Sequence, residues 1–141
     1  MMTKPSVVFW IVAVIALLWN GFGVFDYAMT ISQNEAYLAQ YTAEQIAYWD
    51  ELPGWRLVLW TLGVGSALLG SVTNLLRKRI TVILWAMGPV IILAGAAHDV
   101  MIGGVEAMGG QLFYVSYGFL TTVQILFLLY ALRQRNRGVY S

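Results

Sequence analysis

Apolar residues run almost unbroken through four stretches of the chain, and polar residues collect between them. The first stretch runs from Val7 to Phe25, the second from Leu57 to Leu76, the third from Ile80 to Ile102 and the fourth from Gln111 to Leu132. An α-helix needs about 20 such residues to cross the ~30 Å hydrocarbon core of a bilayer, so each stretch reads as a membrane span. The first is too long for a signal-peptide core, and no small-x-small cleavage pattern follows it, so it reads as a retained anchor. The predicted fold is an all-α, integral-membrane four-helix bundle forming a single transmembrane domain over residues 1–141.

The connections differ in kind. Residues 77–79 leave room only for a helical hairpin. Residues 103–110, GGVEAMGG, are glycine-rich and read as a mobile link. Residues 30–55 form the one sizeable loop. It carries two capping-box patterns, Ser32 with Glu35 and Thr42 with Gln45, each of which predicts a short helix. In the second of these, Ile46, Trp49 and Leu52 recur at roughly helical spacing opposite Glu44 and Glu51. Such a segment can lie as a lid on the bundle or serve as a solvated connector. Pro53-Gly54 is expected to end it.

Composition agrees with the pattern. The chain is 60% hydrophobic and only 11% charged, against about 25% charged in a soluble domain, too few charges to coat a soluble globule. Six Trp and eight Tyr suit the two interfacial belts of a membrane protein. Cysteine is absent, which excludes disulfides, thiolate metal sites and cysteine nucleophiles.

Charge position says more than the net charge of +1. Lys4, Arg77, Lys78, Arg79, Arg133, Arg135 and Arg137 all fall at one end of the predicted bundle. Asp26, Glu35, Glu44, Asp50, Glu51, Asp99 and Glu106 fall at the other, and only Arg56 breaks the separation. By the positive-inside rule both termini are cytoplasmic and the 30–55 loop is outside.

Rise along a helix then sets depth. Asp26 lies about 28 Å up the first span from Val7, and Asp99 about 28 Å up the third from Ile80, so both reach the outer interface. His98 adjoins Asp99, Arg56 opens the second span at the same level, and Tyr114 and Tyr117 descend the fourth. With Tyr27, the residues Asp26, Arg56, His98, Asp99 and Tyr117 form a candidate outward-facing ligand site. Arg56 would pair with Asp26 or Asp99, and His98 would be the titrating member. The competing explanation is that polar groups are tolerated at this depth because water and headgroups solvate them. A metal site is not expected: His98 and Asp99, at i and i+1, point about 100° apart on a helix. No cofactor is expected either.

Deeper polar residues are uncharged. Tyr114, Tyr117, Thr121 and Gln124 share one helix face, as do Asn20, Gly23 and Tyr27. The second span carries two ridges of small residues, Gly63-Ala67-Ser71 and Ser66-Gly70-Asn74. Asn20, Asn74 and Gln124 read as hydrogen-bonding positions in helix packing. Pro89 is expected to kink or loosen the third span. No carboxylate, Lys or Arg lies near the midplane, where an ion-coupled carrier usually places one, and the halves show no repeat. Phosphate loops and hydrolase elbows are missing too.

The stretches WNGFGVFDYAMT, NEAYL and YTAEQIAYWDELPGW resemble a family of small four-span bacterial inner-membrane proteins of unknown function, some of which carry a "sugar transporter" label. The resemblance spans about residues 17 to 70 and rests on Asn20, Gly23, Asp26, Tyr27, Asn34 and Glu35. It implies a multi-pass protein of a bacterial inner membrane, and no site residues. The transporter label finds no support in four spans without a repeat or a midplane charge. Three functions compete: an accessory or binding protein without enzymatic activity, a small-solute transporter acting as an oligomer, and a membrane enzyme using His98, Asp99 and Asp26. The expected partners are the bilayer and another membrane protein or a second copy of this chain, with no nucleic acid.

Overall fold

The computed structural model describes residues 3–141. Six helices follow one another: α1 (Val7–Ile31), α2 (Glu35–Leu38), α3 (Ala43–Asp50), α4 (Gly54–Leu75), α5 (Thr81–Met101) and α6 (Gln111–Asn136). Among the described residues there is no strand. The long helices α1, α4, α5 and α6 are each long and apolar enough to cross a membrane, and they match the four expected spans. α1 packs on α4, α4 on α5 and α5 on α6. Large apolar side chains such as Val14, Leu18, Val58 and Leu129 stand exposed on the outside of the bundle. The fold is a bundle of four long helices with an apolar exterior.

All four long helices end in the same way. The residue after the C-cap takes a left-handed conformation: Gln33 (φ 55°), Arg77 (φ 55°), Gly103 (φ 76°) and Gly138 (φ 72°). The next N–H then reaches back to a carbonyl five residues earlier: Asn34 to Met29, Lys78 to Thr73, Gly104 to Asp99 and Val139 to Gln134. These are Schellman motifs, which satisfy carbonyls the helix leaves bare. They explain one departure from expectation. Ser32 is the C-cap of α1 and so cannot start α2; Asn34 does, accepting from the Tyr37 N–H. The Thr42–Gln45 capping box forms as expected.

Two further boundaries move. α1 continues to Ile31, so Asp26 and Tyr27 stand on the helix and not at its exit. Pro53 and Gly54 do not close α3, which stops at Asp50; Pro53 is the N-cap of α4 and Gly54 its first residue. A fixed φ and a missing N–H suit the start of a helix. The 103–110 link is built from successive hydrogen-bonded turns, with Gly110 N–H bonding Val105 O and Met108 N–H bonding Gly104 O. Pro89 lies inside α5, which runs unbroken through it.

The two ends of the bundle are built differently. At the basic end Phe9, Ala16, Val82, Trp85, Phe127, Ala131, Val139 and Tyr140 form one buried cluster. The small ridges of α4 allow its close contacts. A Cβ on Gly70 would strike the Trp85 ring. Ser71 turns the other way, its hydroxyl donating to Ala16 O of α1 at 3.1 Å. The segment after α6 folds back into this end. Ser141 exchanges backbone hydrogen bonds with Arg77 and Arg79, and Thr3 N–H bonds Gly138 O. Tyr140 is thereby buried, with its hydroxyl donating to Asn74 Oδ1 at 2.7 Å.

Candidate functional site

At the loop end the bundle is organised around one carboxylate. Asp99, in the last turn of α5, is 1% exposed, so its oxygens need partners within the protein. Arg56 supplies a forked contact, Nε to Oδ1 at 3.3 Å and Nη2 to Oδ2 at 3.0 Å. Tyr117 of α6 donates to Oδ2 and Tyr48 of α3 to Oδ1, each at 2.8 Å. His98 Nδ1 lies 3.0 Å from Oδ1, so neighbouring side chains do touch although their Cβ directions diverge. Arg56 reaches this position only because α5 has glycine at 95; a Cβ there would lie 2.7 Å from Nη2. One guanidinium, one imidazole and two phenols from α3, α4, α5 and α6 thus meet on a single carboxylate. Burial, then the hydrogen bond to Asp99, holds the Tyr48 phenol well above its ordinary range.

Asp26 has a different environment. The sequence offers Arg56, His98 or water as its neighbour, and the structure gives it none of the first two. Tyr37 and Tyr41, from the loop, both donate to Asp26 Oδ1, the second at 3.3 Å. Burial is the larger cause raising both phenols, and the adjacent carboxylate adds to it. Oδ2 accepts no hydrogen bond from the described residues. Tyr27 leaves the group: its hydroxyl lies 2.5 Å from Thr61 Oγ1 and its ring stands edge-on to Trp60.

Between the two carboxylates lies a cavity of ≈ 420 Å³ with mostly apolar walls. Asp26, Arg56, Asp99 and Tyr117 line its loop end, and Asn20 and Gln124 line its floor. Both floor residues sit near the middle of their helices. They are joined across α1, α4 and α6 by a short chain of bonds: Gln124 Nε2 donates to Asn20 Oδ1 at 2.9 Å, and Asn20 Nδ2 to Ser71 Oγ at 2.9 Å. Gln124 Oε1, buried and beside Gly88, has no partner. Tyr48, Trp49 and Leu52 reach over the cavity from α3 and the residues after it, so this segment covers the bundle as a lid.

Of the six expected site residues, Asp26, Arg56, Asp99 and Tyr117 face one cavity. His98 touches Asp99 from outside its wall and packs edge-on to Trp55 at 4.8 Å. Tyr27 binds α4 instead. Tyr114, expected on the face of Tyr117, is 57% exposed on the outside. Tyr37, Tyr41 and Tyr48 escaped sequence reasoning. Their only signal is that buried carboxylates need donors and the loop is rich in phenols. Among the described residues no three His, Asp or Glu side chains gather as metal ligands could.

These features define a class: an all-α bundle of four helices long and apolar enough to span a membrane, filled at one end and hollow at the other, with a short helical lid over the hollow. No family model, curated protein or solved structure matches the chain.

Proposed function

We propose that this is a binding or accessory protein of a bacterial inner membrane, with both ends of the chain in the cytoplasm and the cavity on the outer side. It holds a small molecule that is largely apolar with a polar end. The observation carrying this reading is the cavity itself. Its volume is within the range of ligand pockets. Its walls are mostly apolar, and a carboxylate, Asp26, stands at its loop end.

The enzyme reading is weaker. Asp99 is fully engaged by Arg56, Tyr48 and Tyr117, and His98 does not line the cavity. Transport draws one favourable observation, since the cavity reaches the middle of the bundle. Against it stands the filled basic end below Asn20 and Gln124.

The test is purification in mild detergent, with mass spectrometry of bound small molecules and lipids, on the native chain and on Gly23→Leu. Gly23 lines the cavity and a Cβ there meets nothing within 4 Å, so leucine can fill the space without displacing a helix. A compound that accompanies the native chain and is lost from the variant is the expected result. Identical spectra from the two would sink the proposal.

A further inference from the structure

We infer that the molecule held in this cavity is an organic cation, an amine-type group carried on an apolar body. The inference rests on the binding reading above and adds a charge to it. Three charged side chains line the cavity: Asp26, Arg56 and Asp99. Arg56 and Asp99 form a forked pair with side chains 9% and 1% exposed, and so cancel each other. Of the charged groups that line the cavity, Asp26 alone is left without an ion-pair partner. Sequence reasoning paired Arg56 with either acid; the choice of Asp99 is what frees Asp26.

The geometry around Asp26 leaves room for a partner. Both phenol donors, from Tyr37 and Tyr41, land on Oδ1. Oδ2 takes no bond from the described residues and is the oxygen available to a ligand. A half-buried carboxylate beside apolar walls attracts a cation more strongly than one fully in water, because solvent screens it less. The walls add to this. Trp19, Phe22, Trp49 and Trp60 line the same cavity, and aromatic faces favour cations over anions through their quadrupoles. An anion would meet the opposite at each of these places, and a neutral apolar molecule would leave Asp26 unpaired.

The experiment uses three probes of the same shape that differ only in the head: phenylbutylammonium, phenylbutanol and phenylbutyrate. Binding is followed by calorimetry and tryptophan fluorescence on the full chain in lipid nanodiscs, with empty nanodiscs as the blank. The ammonium is expected to bind tightest and the carboxylate weakest. Asp26→Asn, which keeps an acceptor for Tyr37 and Tyr41, is expected to weaken the ammonium about tenfold or more, the worth of one charge-assisted hydrogen bond. The same change should leave phenylbutanol untouched, which also reports that the variant is folded. Equal binding of ammonium and alcohol, or tighter binding of phenylbutyrate, overturns the cation inference while the cavity remains a binding site. If none of the probes binds, or if Gly23→Leu removes none of the binding, the underlying reading falls as well. The head-group order in the native chain decides the matter even if Asp26→Asn does not fold.

Discussion

The two ends of this bundle are made by the same four helices and solve opposite problems. At the basic end, Trp85 and Phe127 stack with ring centroids 5.2 Å apart, and Tyr140 packs on Phe9. The glycine of α4 facing this cluster admits the indole ring. At the loop end the glycine of α5 admits a guanidinium instead, and the space between helices stays open. Small residues therefore have two uses here. One draws helices together around apolar rings, and the other draws a charged group into the bundle where it can be held by hydrogen bonds. A hollow end lacks the packing that orders the filled one, so it needs another source of order. The Asp99 cluster and the lid supply it.

The sharpest way to break this contrast is to remove half of the ion pair. Arg56→Met leaves Asp99 buried without its cation and is expected to cost about 3–5 kcal/mol. Pairing it with Asp99→Leu should recover most of that loss. Thermal unfolding in detergent, followed by size-exclusion, measures both, and a mild single variant would show that the cluster does not organise the loop end. Next in size is Trp85→Ala, expected to cost about 3 kcal/mol by opening a void at the basic end. Ligand binding at the other end should survive it, and loss of binding would mean that the ends are not independent.

A smaller effect is expected from Tyr140→Phe. It strips Asn74 Oδ1 of its donor where Nδ2 already lacks a partner, and should cost about 1–2 kcal/mol. Limited proteolysis of the segment after α6 would report the release. The smallest is a pH effect confined to the lid. The Tyr37, Tyr41 and Tyr48 phenols are all raised above their ordinary range in the folded chain. Their contribution is therefore complete below pH ~10, the value of a free phenol. It is lost as pH climbs from there toward the folded values, because the released lid ionises first. Hydrogen exchange of residues 35–50 should accelerate in that window, while α5 and α6 stay protected. A lid indifferent to alkali would contradict the phenol–carboxylate bonds.

How far the sequence foretold this depends on the range of the interaction. Four long apolar runs announce four helices, because hydropathy is a local property, and each helix begins within about three residues of its expected start. The ridges on α4 were also legible, and all but Gly63 of their six residues are buried. Partnership was less so. Whether Arg56 would choose Asp26 or Asp99 turns on Gly95, 39 positions further on, and no spacing rule connects them. Asp26 takes its donors from Tyr37 and Tyr41, whose direction depends on where α1 stops. That in turn depends on Gln33 adopting a left-handed conformation that glycine would more readily supply. The return of Tyr140 into the basic end left no trace in hydropathy, since a short tail has no period to read.

The Arg56–Asp99 contact also carries a history. Synthesis runs from the N-terminus, and the two residues are 43 positions apart, with Tyr117 61 positions after Arg56. At about 5–20 residues per second the guanidinium waits on the order of two to nine seconds for its carboxylate. Asn20 waits longer, since Gln124 follows it by 104 positions. A chain ending just after α5 would thus carry both partners of the ion pair but lack the floor beneath them. The hollow end becomes a chamber only when the last helix arrives.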